Sequence, residues 1–291
     1  YRHTIRQAAR FATITGKGYK PAEIRLGRWR GAAGFFFALY FVFAVALPFV
    51  ALLWASVIPY FAGFSLAMLQ RASFKAYTDL LASPRLHEAL VNAAAIAVAA
   101  SAALVVIALA VAWIVLRSKL RRAWLLDVVA MIPLGVPPLM TGIALVFVAF
   151  SIKFLPLYGT IWVIALGHMI GFLPVASRMM QTGMLQITGE LEEAAHMAGA
   201  TAAGAVQRVL LPLLTPTIMA MIVWILVHSV REFSIAVMLQ SGRNGVLSTM
   251  LFNFWETGSP ERAAALAVML MLLLLGLTAL FSLLAPREKQ V

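Results

Sequence analysis

Residues 89–116 read ALVNAAAIAVAASAALVVIALAVAWIVL, 28 consecutive positions without Asp, Glu, Lys or Arg. A helix needs about 20 apolar residues to cross the roughly 30 Å hydrocarbon layer of a bilayer. Residues 31–70, 128–152 and 263–286 are equally free of charge. So are 154–177 and 209–230, where His168 and His228 are the only histidines. In lipid each backbone N–H and C=O must be bonded within the segment, which a helix achieves alone. The pattern predicts an all-α membrane protein with six transmembrane helices, near 33–58, 90–116, 126–150, 157–178, 213–238 and 262–285. The composition agrees, with 63% apolar and 12% charged residues, against nearly half and a quarter in soluble domains.

The formal charge is +12, and its placement excludes nucleic acid as the reason for it. Sixteen Lys/Arg fall in 1–30, 117–122, 178–208 and 287–289, and the intervening gaps hold seven. Lys/Arg excess marks the cytoplasmic side, and anionic lipid is its natural counterpart. Both termini, the Arg117–Arg122 loop and the loop at 178–212 are thus expected inside. The gaps at 59–88, 151–156 and 239–261 are expected outside. Trp54, Trp113, Trp124 and Trp255 suit interfacial anchoring. With no cysteine, disulfides and thiolate metal sites are impossible; any metal ligation stays unassigned.

Residues 1–30 read as a basic cytoplasmic linker, and 31–291 as the membrane domain. Gly16-Lys17-Gly18 is not a phosphate-binding loop, which needs an earlier Gly and a following Ser/Thr between strand and helix. The first residue is Tyr1 rather than Met, so a processed or truncated piece of a longer chain is expected.

The longest inside connection, 179–212, contains Glu190-Leu191-Glu192-Glu193-Ala194-Ala195-His196-Met197-Ala198-Gly199. Leu191, Ala194, Ala195 and Ala198 recur at helical spacing on one face. Three of those side chains are methyl groups, which hold lipid weakly but let a backbone approach a partner closely. The three glutamates suit the positive end of a helix, and Gly199 is a natural left-handed stop. A short helix entering a groove is the expected structure; an ordinary amphipathic loop helix fits the periodicity equally.

The spacing is more particular. Glu193-Ala194-Ala195 is followed after three residues by Gly199, then after nine by Val209, then by Leu211-Pro212. This resembles the EAA signature of binding-protein-dependent ABC importer permeases, with Val209 where the family has Ile. The resemblance implies a coupling helix between the fourth and fifth spans, seated in a cleft of a cytoplasmic ABC ATPase dimer. Glu192, Glu193, Ala194, Ala195, Gly199, Leu211 and Pro212 are the implied coupling residues. It also implies no cofactor in this chain, with ATP and Mg bound by the ATPase. The other implied partners are a second permease half and an extracytoplasmic substrate-binding protein, in a bacterial-type inner membrane. The stretch from Phe11 to Pro21, Leu26 to Arg30, and Arg231-Glu232-Phe233-Ser234 look like ferric-iron-type permeases, in which two six-helix halves are often fused. That subgroup implies the C-terminal half of a fused permease and a substrate such as ferric iron.

For the translocation pathway, His228, Arg231 and Glu232 share a face if the fifth helix runs to 238. Charge at that depth faces an aqueous cavity or a protein interior; the alternative is an Arg–Glu brace. Pro133, Gly135, Pro137, Pro138 and Gly142 predict a bent or interrupted third span, with Pro137 beside the pathway or serving packing alone. His168 reads as an interhelical hydrogen-bonding group. An ion-gradient-driven secondary transporter is the alternative class, though it often shows inverted repeats and midplane carboxylates, and Glu232 is the one carboxylate well inside a span.

Overall fold

A computed structural model describes residues 27–60, 63–118, 120–152 and 157–284. The linker segment 1–26 and the basic residues Arg287 and Lys289 lie outside them. All secondary structure in the described residues is helical. In chain order the elements are α1 (Gly27–Val57), α2 (Lys75–Leu81), α3 (Pro84–Arg117), α4 (Ala123–Met131), α5 (Pro138–Ser151), α6 (Ile161–Leu185) and α7 (Glu190–Met197). Then follow α8 (Ala203–Arg231), α9 (Ser234–Leu239), α10 (Leu247–Glu256) and α11 (Pro260–Leu284). Five of these, α1, α3, α6, α8 and α11, are long and apolar enough to cross a membrane, and the bent pair of α4 and α5 brings the number to six when it counts as one span.

The chain divides into two units, residues 1–50 and 51–291. Within the first, no described side chain of Arg30–Phe41 or Val42–Ala46 is buried, although the run includes Phe35, Phe36, Phe37, Tyr40 and Phe43. So large an apolar surface marks contact with lipid or another chain.

The second unit is organised around α3. Ala89, Ala93, Ala97, Ala100, Leu104, Ala108 and Ala112 form a buried stripe along it. Small residues let helices approach closely where apolar lipid offers no hydrophobic drive for association. At the end carrying α7, the stripe packs with Met180 and Met184 of α6 and Leu210, Leu214, Met221 and Ile225 of α8. At the opposite end, Ala89, Ala93 and Ile96 pack with Ile164, Ile235, Leu239 and Leu266. Glycines set the closest crossings. A Cβ at Gly183 of α6 would lie 2.5 Å from Thr217 Oγ1 of α8, and one at Gly142 of α5 would lie 2.9 Å from Met238 Cβ of α9. One at Gly167 would overlap Ile235 Cγ2.

The expected interruption of the third span is a turn of 105° between Ala123–Gly135 and α5. Its cause is local. Proline crowds the preceding residue out of helical geometry. Val136, before Pro137, has φ −105° and ψ 123°, and Pro137, before Pro138, has φ −55° and ψ 134°. Pro138 then begins α5, where its missing N–H is no loss.

The fifth span departs from expectation. Its helix ends at Arg231, not 238, and Glu232 turns away with φ −66° and ψ 125°. The Glu232 carboxylate accepts the N–H of Ile235 at 3.0 and 3.1 Å and that of Ala236 at 3.3 Å, capping α9. The Ser248 hydroxyl donates to the Glu232 carbonyl at 2.7 Å. Both sides of the break are thereby satisfied, the condition for interrupting a helix at membrane depth.

Candidate functional site

α7 is eight residues long, with Glu190, Glu192 and Glu193 in its first turn. Gly199 has φ +87°. Its N–H bonds the His196 carbonyl at 2.9 Å, and the Ala200 N–H bonds the Ala195 carbonyl at 2.9 Å. These two bonds make a Schellman stop, which satisfies the last carbonyls of the helix and favours glycine at this position. The His196 ring Nδ1 lies 2.9 Å from the Ala200 carbonyl and covers the same turn.

The helix is presented outward. Glu190, Glu193, Ala194 and Ala198 are exposed, Leu191 is 46% exposed and Met197 90%. Glu192 and Ala195 turn inward. Glu192 accepts from Arg117 Nε at 2.6 Å, with side chains only 13% and 20% exposed. The same guanidinium donates through Nη2 to the Ile187 carbonyl at 2.6 Å. Of the two glutamates implied as coupling residues, Glu193 is exposed and Glu192 faces Arg117. Arg117 was invisible to sequence reasoning as a functional position, because its partners lie about 70 residues away and a basic residue at a helix end needs no further account.

Beyond Gly199 the chain enters α8 through five π-helical residues, Val206–Leu210. Leu211 and Pro212 follow, Leu211 half-buried and Pro212 exposed. The wider turn lies just ahead of Pro212, whose ring and absent N–H conflict with regular α-helical bonding.

The pathway residues expected from sequence are not brought together. His228 stacks on Trp224 at 4.0 Å between ring centres, and its Nδ1 donates to the Trp224 carbonyl at 2.8 Å. Arg231 is exposed. Glu232 faces His168, with Nε2 at 3.4 Å from Oε2, inside ion-pair range but without hydrogen-bond geometry. No Arg231–Glu232 pair occurs among the described residues, so neither the common face nor the mutual brace is the observed arrangement. Pro137 stands at the α4–α5 turn. Instead a cavity of about 560 Å³ opens between α4, α6 and α8, lined by Met131, Leu134, Arg178, Thr182 and Thr217 among others. Arg178 is held by Asp127 at 3.3 Å and by Gln181 at 2.9 Å, and Gln181 also donates to Asp127 at 2.9 Å. No group of three or more His, Asp or Glu placed to hold a metal occurs among the described residues.

A helical protein with five to six apolar helices of membrane-crossing length is a multi-pass membrane protein. Residues 105–290 match the family of binding-protein-dependent transport system inner membrane components, and the chain belongs to that family, the multi-pass permeases of ABC importers. Membership leaves the ion-gradient-driven alternative without support. Over 149 residues the chain is 27% identical to a putative 2-aminoethylphosphonate transport system permease protein of Salmonella typhimurium, covering 51% of this chain and 56% of that one. Over 162 residues it is 26% identical to a probable ABC transporter permease protein of Sinorhizobium fredii, covering 53% of this chain and 28% of that one. The matched stretch is therefore little more than half of the first relative's length and under a third of the second's. Among solved structures, a bacterial ABC transporter that imports the acidic polysaccharide alginate has a chain of the same fold, with TM-score 0.72 at 14% identity, covering 91% of this chain and 98% of that one. The alginate transporter in complex with its pentasaccharide-bound periplasmic protein gives TM-score 0.70 at 15% identity.

Proposed function

We propose that this chain forms half of the translocation pathway of an ATP-driven importer and that α7 docks into a cytoplasmic ATPase. The observation that carries this is the outward face of α7: Glu193, Ala194 and Met197 open to solvent on a helix stopped by the Gly199 turn. A short rigid helix transmits displacement without melting, and its methyl-sized side chains admit close approach. A second permease half, fused or separate, covers the apolar surface of α1. The carbohydrate-loaded periplasmic protein of the alginate transporter supports an extracytoplasmic binding protein as the substrate donor. The side bearing α7, with both termini, is cytoplasmic by its Lys/Arg content.

The substrate is an anion or an oxyanion complex. The ferric-iron reading rests on the resemblance around Arg231-Glu232-Phe233-Ser234, and a phosphonate reading rests on the Salmonella relative. Arg178, preset by Asp127 and Gln181, lines the cavity between α4, α6 and α8 and supports a ligand with acceptor oxygens. Thermal shift of the cognate binding protein with ferric complexes and with 2-aminoethylphosphonate separates the two. For docking, Glu193→Arg and Gly199→Leu are expected to insert normally and lose co-purification with the ATPase. Normal ATP-dependent uptake by both variants would overturn it.

A further inference from the structure

Covalently, α7 is tied to two helices, through residues 186–189 to α6 and through 198–202 to α8. Neither connection reaches α3, the helix that buries eleven residues in this unit. Among the described residues, the hydrogen-bonded link to α3 is made by one side chain. Arg117 stands in the last turn of α3. It reaches Glu192 of α7 at 2.6 Å, the Ile187 carbonyl at 2.6 Å and the Met184 carbonyl at 3.4 Å. A planar guanidinium serves several acceptors at fixed angles, which a lysine ammonium does not. The pairing also follows the helix dipoles, with a cation at the end of α3 and an anion in the first turn of α7. Glu190 and Glu193, on the same turn, stay exposed, so the inward direction of Glu192 is particular to that residue.

Resting on the docking reading above, we propose that Arg117 and Glu192 are positioning residues that lock α7 to α3. Displacement of α7 by the ATPase then enters α3 directly, in addition to passing through α6 and α8. Glu193 meets the partner, and Glu192 returns the motion to the membrane domain.

The chain lacks cysteine, so paired nitroxides can be placed at Val106→Cys on α3 and His196→Cys on α7, both exposed and neither on the docking face of α7. Distances are read in the full importer complex with its ATPase, without nucleotide and after trapping with ATP and vanadate. The parent is expected to keep one narrow distance in both states. Arg117→Ala and Glu192→Ala should each broaden the distribution and shift it on trapping, with the double variant no worse than either single one. Arg117→Lys should lie between, and it decides the matter if Arg117→Ala does not accumulate. Equal nucleotide-dependent shifts in parent and variants, or additive effects of the two single changes, would overturn the lock. A parent chain that assembles no ATPase complex would sink the docking reading, and the lock with it. Complexes that form in every variant, with distances and trapping-dependent shifts that do not depend on Arg117 or Glu192, would sink the lock alone.

Discussion

His168 Nδ1 and Ser229 Oγ meet at 2.8 Å, 61 residues apart in sequence. They join α6 to α8 toward the ends furthest from α7, while Gly183 and Thr217 bring the same two helices into contact nearer to it. The hairpin α6–α7–α8 is thus fastened at both ends. A buried polar group left without its partner costs about 1–3 kcal/mol. His168→Ala and Ser229→Ala are each expected to lower thermal stability in detergent by this order, and the double variant by less than their sum. Additive losses would show that the pair is not coupled.

Gly167 is a steric requirement. Its missing Cβ leaves the space taken by Ile235 Cγ2, and overpacking of this kind costs typically about 1–3 kcal/mol. Gly167→Ala should lower the unfolding temperature, and Ile235→Ala in the same chain should recover part of the loss. Recovery is absent if the glycine serves flexibility instead.

The 105° turn can be tested by cross-linking. Cysteines at Gly142 and Met238 would have Cβ atoms 2.9 Å apart, needing roughly half an ångström of give to reach disulfide geometry. Oxidation is expected to join α5 to α9, seen as a mobility shift after proteolysis between them. Pro137→Ala with Pro138→Ala releases Val136 and residue 137 from extended geometry, and the cross-link yield should fall. An unchanged yield would assign the turn to tertiary packing alone.

Glu232 distinguishes capping from charge. Glu232→Ala strands the Ile235 and Ala236 N–H groups and should destabilise by roughly 1–3 kcal/mol. Glu232→Gln keeps an acceptor oxygen and should lose less. If uptake falls equally in both while thermal stability holds, the carboxylate serves transport rather than the helix break.

Gly199→Ala forces a Cβ into left-handed backbone at φ +87°, at a cost of about 1–2 kcal/mol. No neighbouring atom lies within 4 Å of the added Cβ, so the effect is conformational. Hydrogen exchange should report faster opening at Ala200 and Gly199, whose N–H groups close the stop. Unaltered protection would show that the turn is held from elsewhere.

What sequence reading captured was governed by local rules. The apolar runs set the crossings, the prolines at 137 and 138 set the turn, and Gly199 set the end of α7. What it missed depends on distant partners. The fifth span stops at Arg231 because the Glu232 carboxylate captures the amides of α9 and because Ser248, 16 residues on, takes the Glu232 carbonyl. Helical periodicity separates Glu192 from Glu193, but which of the two faces inward depends on the folded position of Arg117. The cavity beside Arg178 likewise needs α4, α6 and α8 together.

The bent pair has a consequence for biogenesis. α5 has 14 residues, about 21 Å of helix, and the Ala123–Gly135 arm is no longer. Neither arm alone matches the hydrocarbon thickness, so neither is an autonomous insertion signal. The two arms therefore act as one crossing unit, closed against α9 where Gly142 meets Met238.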